Sequence, residues 1–162
     1  MKWRKFILGI LIALGILTTS TLAERLEYPP EEFLARRELL AKNVGDGLLL
    51  MFSSTLPTPG IRFRQDHDFF YLTGNESLNA VLVMDLSSGD SHLFLPKLNA
   101  VEIKYEGANW LNETDPARKR GFKTIQSLEK LHNFLAQSRR VSGTQVLWTR
   151  LSEPDFVNQS RF

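Results

Sequence analysis

The segment from Arg62 to Gly74 constrains the fold of this chain more than any other, because it places charged residues, consecutive aromatic residues and a glycine side by side. The block Phe69–Leu72 supplies apolar surface that a short helix would bury. An aspartate ahead of such a block accepts hydrogen bonds from the free N–H groups of the first turn, and Asp66 and Asp68 both qualify as this N-cap. Gly74 then ends the turn in the left-handed conformation. The pattern therefore predicts a short, capped and partly buried helix.

The same segment contains a set of metal-ligating residue types in Asp66, His67 and Asp68. Adjacent side chains point in different directions, and no second group of ligands is spaced to complete a coordination shell. Capping and ion pairing are therefore the better interpretation. If the segment is helical, Arg64 and Asp68 lie four residues apart on one face, which predicts an ion pair between them and leaves His67 on the solvated side.

The first 23 residues have the layout of a secretory signal peptide. Basic residues precede an apolar stretch from Phe6 to Leu17, and small side chains up to Ala23 provide a cleavage site. The stretch is shorter than the about 20 residues of a transmembrane helix, and an uncleaved membrane anchor is the alternative. We expect residues 1–23 to be a signal peptide and residues 24–162 to form one domain. The protein is then exported, periplasmic or secreted, and it meets a membrane only if the signal stays uncleaved.

Composition narrows the range of partners. The chain has 20 Lys and Arg residues against 18 Asp and Glu residues, and a net charge of +2. Removing Lys2, Arg4 and Lys5 with the signal peptide leaves 17 basic against the same 18 acidic residues, a net charge of −1. A near-neutral domain has no electrostatic reason to bind nucleic acid, so we expect none as a partner. The absence of cysteine excludes disulfides, so the fold must be stable through its core alone.

Helical and strand patterns alternate along the rest of the chain. Two prolines precede a helix predicted at Glu31–Asn43, whose Arg36-Arg37 pair lies on a solvated face or, as we favour, has a structural role. The predicted strands are Leu48–Phe52, Ala80–Leu86, His92–Leu95 and Val146–Thr149, with a hairpin turn at Ser87–Asp90. Further helices are predicted between Asp115 and Gly121 and after Ser127. This order favours an α/β domain with a mixed β-sheet flanked by helices.

The Arg36-Arg37 pair, the segment Arg62–Gly74 and the apolar run Ala80–Met84 together resemble the N-terminal domain of the Xaa-Pro aminopeptidase family, which includes aminopeptidase P, prolidase and creatinase. The resemblance covers roughly Glu31 to Phe162. It implies the mixed-sheet fold of that N-terminal domain. The motif residues to which we assign a structural role are Arg64, Gln65, Asp66, Asp68, Phe69, Tyr71 and Gly74.

Catalysis in that family takes place elsewhere in the protein. Two metal ions, usually manganese, are held by two Asp, one His and two Glu in a C-terminal pita-bread domain, where they activate water for attack on a Xaa-Pro bond. That domain is absent from this sequence, which we expect to be truncated at its C-terminal end. The sequence also lacks nucleophile and phosphate-binding motifs. We predict no catalytic residue, no metal ligand and no cofactor in this chain, and no activity of the chain alone.

The resemblance implies instead that the domain shapes the active-site entrance and makes oligomer contacts, with the missing catalytic domain and further copies of the chain as partners. Tyr105, within Ile103–Gly107, stands where the family has a Glu-x-Trp-x-Gly pattern and is a candidate cleft-wall contact. The loop Thr58–Ile61 lacks the acidic residue that approaches a neighbouring cleft in bacterial members. The alternatives are a free-standing binding or assembly module with the same fold, and the N-terminal domain of a prolidase or creatinase relative.

Export predicts a defined new N-terminus. Sequencing the protein recovered from the exported fraction should begin at Glu24, because the small residues up to Ala23 form the cleavage site. Recovery of intact Met1 from the membrane fraction would instead support an uncleaved anchor.

Overall fold

The computed structural model describes residues 28–55, 63–142 and 146–150. The helices are α1 Pro30–Val44, α2 His67–Thr73, α3 Ala100–Glu106, α4 Pro116–Lys119 and α5 Leu131–Ser142. The strands are β1 Leu48–Phe52, β2 Val81–Asp85, β3 Ser91–Leu95, β4 Thr124–Ser127 and β5 Leu147–Thr149, and 3₁₀ turns lie at Trp110–Asn112 and Leu128–Lys130. All the predicted strands and helices form, within a residue or two at most ends. Two elements, β4 and α3, were not predicted from the sequence.

The strands form one mixed sheet in the order β4-β3-β2-β1-β5. The central pairs β1–β2 and β2–β3 are antiparallel, whereas β4 and β5 lie parallel to their neighbours at the two edges. The predicted hairpin joins β2 to β3, with Val81 opposite Phe94 and Met84 opposite Ser91. The predicted class, an α/β domain with a mixed sheet flanked by helices, is confirmed.

Successive side chains of a strand point to opposite faces of the sheet, so the hydrophobic core has one part on each face. On the α1 face, Leu82 and Met84 pack with Leu93 and with Phe69 of α2. On the α5 face, buried strand residues meet the apolar side of α5. The residues of that second cluster are Leu48, Leu50, Val81, Val83, Phe94, Leu128, Leu131, Phe134 and Leu135. Helices therefore cover both faces, which explains why β1 and β2 are nearly continuous apolar runs.

No helix among the described residues is long and apolar enough to cross a membrane. The predicted signal peptide, residues 1–23, lies outside the described part of the chain.

Arg37 of α1 is a buried cation that joins four parts of the fold. Its side chain is 1% exposed, and its Nη1 donates to the carbonyl of Leu72 at 2.9 Å. Its Nε donates to Ser91 Oγ at 3.0 Å, and its Nη2 donates to the carbonyls of Arg120 and Gly121 at 3.1 and 2.7 Å. Burial lowers the pKa of Arg37 to about 10, so the group remains charged at neutral pH. The structural role that we favoured for Arg37 is confirmed, and a solvated position is excluded.

Arg36, the neighbouring residue, holds the same end of α2 from the surface. It donates to the carbonyl of Tyr71 at 3.1 Å and pairs with Glu32, one turn earlier in α1, at 3.0 Å. Its guanidinium also lies over the rings of Tyr28, Phe33 and Tyr71, 4.4 Å from the nearest of these ring centroids. The last carbonyls of a helix carry partial negative charge, so both arginines stabilise the C-terminal end of α2.

Replacing Arg37 should destabilise the domain strongly. Arg37→Met leaves several buried carbonyls without donors, and we expect a loss of about 3 kcal/mol in the free energy of unfolding. Arg37→Lys should lose nearly as much, because one ammonium does not reach the acceptors that the planar guanidinium spans. Lys42→Met, at an exposed position of the same helix, should change stability by no more than about 0.5 kcal/mol. Urea unfolding measures all three, and wild-type stability of Arg37→Lys would contradict the role of guanidinium geometry.

Candidate functional site

Helix α2 is the short capped element that the sequence predicts. Asp66 Oδ1 accepts a hydrogen bond from the backbone N–H of Phe69 at 2.9 Å, so Asp66 and not Asp68 is the N-cap. Gly74 adopts φ +65° and donates to the carbonyl of Phe70 at 2.8 Å. A Cβ at Gly74 would lie 2.6 Å from the Phe33 ring, so both backbone conformation and space require glycine there. Phe69 is fully buried, whereas Tyr71 is 53% exposed and contacts Arg36.

The predicted ion pair between Arg64 and Asp68 is wrong. The helix begins at His67, so Arg64 precedes it and does not share a helical face with Asp68. Both aspartates instead meet Arg150, which follows β5: its Nη1 lies 2.7 Å from Asp66 Oδ2 and 3.1 Å from Asp68 Oδ2. Asp66 is nearly buried in this pair, whereas Asp68 remains largely exposed. Sequence reasoning missed Arg150 because 84 residues separate it from Asp66.

Gln65 ties the start of α2 to two other segments. Its Oε1 accepts from the backbone N–H groups of Ser54 and Asp66, both at 2.8 Å, and its Nε2 donates to the carbonyl of Ser77 at 2.9 Å. The Gln65 side chain is buried, and its bond to Ser54 is shielded from water. The end of β1, the start of α2 and the loop after α2 are thereby held together.

The loop after α2 is stiffened by its own side chains. Thr73 Oγ1 donates to the carbonyl of Phe69 at 2.7 Å and accepts from the N–H of Asn75 at 3.0 Å. Asn75 Oδ1 accepts from the N–H of Ser77 at 2.9 Å, and Thr73 and Asn75 are both buried. These bonds fix the backbone of residues 73–77 without help from a regular element.

This loop borders an open groove of about 1100 Å³. The segments Gly74–Asn79, Pro96–Leu98 and Gly107–Trp110 line it. Its aromatic lining is Tyr28, Phe33, Phe63, Phe70 and Trp110. A smaller cavity of about 530 Å³ shares Tyr28, Phe63 and Phe70 with it, so one aromatic surface continues from one cavity into the other.

The far wall of the groove is fixed by two asparagine caps. Asn99 begins α3 with a capping box, in which its side chain accepts from the N–H of Glu102 and the Glu102 side chain accepts from the N–H of Asn99 at 2.7 Å. Asn109 accepts from the N–H of Leu111 and donates to the carbonyl of Pro96 at 2.7 Å. The Asn-x-x-Glu spacing from Asn99 to Glu102 is the sequence pattern of a capping box and could have predicted the start of α3.

Arg120 supplies a cation to the groove lining. Its guanidinium lies 4.0 Å from the Trp110 ring centroid, and its Nη2 donates to Glu113 Oε1 at 2.8 Å. Its buried Nη1 has no acceptor within the described residues. Stacking and the ion pair hold the guanidinium in place, so this wall is preorganised.

Two candidate contacts lie beyond what the structure describes. Tyr105 is in the last turn of α3, beside the groove-lining residue Gly107, but its side chain is outside the described set. The loop Thr58–Ile61 is likewise outside it. Their predicted roles therefore stay predictions.

The described residues do not fit a two-manganese centre. No group of three or more His, Cys, Asp or Glu among them could hold a metal ion, and Asp66 and Asp68 are turned toward Arg150. His92 is a structural residue: its Nδ1 lies 2.9 Å from Thr124 Oγ1 and its ring packs on Phe134. Burial lowers the pKa of His92, which keeps the imidazole neutral at pH 7. No catalytic step is therefore assigned to the described part of the chain.

The capping geometry predicts unequal effects for the two aspartates. Asp66→Ala removes the cap and leaves a half-buried Arg150 with fewer acceptors, so unfolding free energy should fall by about 1–3 kcal/mol. Asp68→Ala and His67→Ala, at exposed positions, should each cost no more than about 0.5 kcal/mol. Urea unfolding of the three variants compares them. A greater loss in His67→Ala, or a divalent metal that raises the midpoint of wild type but not of His67→Ala, would restore the metal interpretation.

Residues 33–148 match the family described as aminopeptidase P, N-terminal domain. A comparison with curated protein sequences gives no match. Among solved structures, Escherichia coli aminopeptidase P with the inhibitor Pro-Leu superposes with a TM-score of 0.66 at 25% identity, over 83% of this chain and 32% of that one. Icp55 from Saccharomyces cerevisiae gives 0.61 at 18% identity, over 82% and 32%.

A Bacillus anthracis structure described as an aminopeptidase P gives a TM-score of 0.63 at 17% identity, over 83% of this chain and 36% of that one. The chain thus spans about a third of the length of its solved relatives. The predicted creatinase/aminopeptidase P N-terminal fold is confirmed, and the match over most of the sequence shows that the chain belongs to the family of aminopeptidase P N-terminal domains.

Proposed function

We propose that this chain is the N-terminal, non-catalytic domain of an exported Xaa-Pro aminopeptidase, a metalloexopeptidase that removes the residue preceding proline. In this proposal the domain lines the entrance to the catalytic cleft and contributes contacts between subunits. The two manganese ions belong to the catalytic domain. The observation that carries the proposal is the preorganised groove between the loop after α2 and the segments flanking α3.

The groove has the chemistry of a peptide-guiding surface. Aromatic rings such as Phe70 and Trp110 offer flat apolar contacts that suit a proline ring, and the backbone groups of its loop segments suit an extended peptide. The bonds of Gln65, Thr73 and Asn109 hold both walls, so binding would cost little further ordering. The E. coli relatives have been solved with the inhibitor Pro-Leu and with substrate, which supports a proline-containing peptide as the ligand class.

A free-standing binding module with the same fold is the second candidate. The groove and its supporting hydrogen bonds lie within the described residues of this one chain, so binding would not require a catalytic domain. The two candidates differ in specificity. An entrance serving a Xaa-Pro enzyme should favour peptides with proline at the second position, whereas a general module should not.

An NMR titration tests both candidates. With a short Xaa-Pro peptide, we expect amide shifts concentrated at residues 74–79 and 107–110, because these segments line the groove. A matched peptide with alanine in place of proline should give smaller shifts at the same concentration. The same samples, incubated with excess manganese, should show no hydrolysis, since the described residues offer no metal ligand set.

Each outcome has a defined meaning. Equal shifts with the two peptides would favour the general binding module. Shifts that avoid the groove would overturn the entrance role. Release of the N-terminal residue by the chain alone would show that it is itself a catalyst.

A further inference from the structure

His92 contacts a neighbouring strand and a helix at once, on the α5 face of the sheet. It belongs to β3, where it is half-buried and lies opposite Thr124 of β4. Its ring packs on Phe134 of α5 with the ring centroids 4.6 Å apart, and Phe134 packs in turn on Phe94 at 5.2 Å. The imidazole therefore joins β4 and α5 to the centre of the sheet.

The contacts of Thr124 determine the direction of its hydrogen bond with His92. Thr124 Oγ1 lies 2.9 Å from His92 Nδ1, and it accepts a hydrogen bond from Gln126 Nε2, also at 2.9 Å. A hydroxyl has a single proton, which Thr124 donates to Nδ1 when the imidazole is neutral and carries its own proton on Nε2. The assignment follows from the network, because each bond of the Gln126-Thr124-His92 chain then has one donor and one acceptor.

A second proton on the imidazole conflicts with this chain of hydrogen bonds. Both ring nitrogens of an imidazolium are donors, so Nδ1 of His92 would no longer accept, and Thr124 would have to turn its proton away. The imidazolium would also lose part of its hydration, because the side chain is half-buried. Protonation is therefore less favourable in the folded chain than in the unfolded chain.

The charges nearest to His92 act in opposite directions. Asp90 and Asp85, on either side of the β2–β3 turn, favour the imidazolium, whereas Lys123, directly before β4, disfavours it. Asp90 lies 3.6 Å from Lys123, so part of its negative charge is compensated. Burial is the largest effect, and it holds the pKa of His92 below its usual value.

The helix side of His92 is apolar where the two elements meet. The group that α5 places against the imidazole is the ring of Phe134, and the titratable His132 of the same helix is exposed. In the 3₁₀ turn that leads into α5, Glu129 is exposed and pairs with Lys97 at 2.7 Å.

We propose that His92 is a pH-sensitive switch: protonation of its imidazole loosens β4 and α5 from β3 and exposes the apolar residues beneath α5. Val83 and Phe94, which are fully buried on this face, would become accessible to water. The stability contributed by neutral His92 is complete above the unfolded-state pKa of about 6.5 and decreases as the pH falls below that value. The inference concerns the α5 face of the sheet and does not depend on the function proposed for the groove.

Replacing the imidazole with a group that does not titrate tests the switch. Wild type should have a lower midpoint of urea unfolding at about pH 5.5 than at about pH 7.5, because the unfolded chain binds the additional proton more readily. His92→Asn places an amide oxygen near the position of Nδ1, and its midpoint should lose most of this pH dependence. His132→Asn is the matched control on α5, and its midpoint should fall with pH as that of wild type does.

Two measurements on wild type require no variant. The ring proton shifts of His92 should titrate at lower pH than those of His67 and His132, which are both exposed. Amide exchange, corrected for the intrinsic effect of pH, should become several-fold faster in α5 and β4 at the lower pH, while exchange in α1 changes little.

Four results would overturn the inference. They are a His92 that titrates with the exposed histidines or above them, a wild type with the same midpoint at both pH values, a His92→Asn variant that keeps the full pH dependence, and equal acceleration of exchange in α1 and α5. Peptide binding by the groove is measured separately at neutral pH, so the two proposals can fail independently.

Discussion

A single guanidinium, that of Arg37, determines how the elements on one side of the sheet are arranged. It is buried, and the four acceptors that it contacts are neutral oxygens from the end of α2, the start of β3 and the turn after α4. A buried cation is tolerated only where donors and acceptors are matched in number and direction. Because the acceptors come from three separate segments, moving any one of them would leave the charge partly unsatisfied.

The shape of the groove depends on the segments that Arg37 holds in place. One wall begins at Thr73, directly after the carbonyls of Tyr71 and Leu72 that Arg36 and Arg37 hold. Arg120, whose carbonyl also accepts from Arg37, belongs to the lining. The polar contacts of Gln65 and Asn109 continue this support on either side. The walls of the groove are therefore preorganised by the fold itself.

Much of this fold could be predicted from the sequence because its signals are local. Apolar runs identified β1, β2 and β3, and the Asp66 to Gly74 pattern identified α2 with both of its ends. Strand β4 was missed because Thr124–Ser127 is short and polar, and its position depends on parallel pairing with β3. The site was less predictable, since the burial of Arg37 depends on carbonyls up to 84 residues away, which no spacing rule reveals.

The two oxygens of the Asp66 carboxylate bind partners that lie at very different distances from Asp66 along the sequence. One oxygen accepts from Phe69, three residues on, and the other pairs with Arg150, which follows the last described strand. As the ribosome extends the chain, the first contact can form almost at once, whereas the second must wait for 84 more residues. Helix α2 therefore gains its final support only when β5 has reached its place beside β1, and the nascent chain should remain open at this corner until Arg150 has been synthesised.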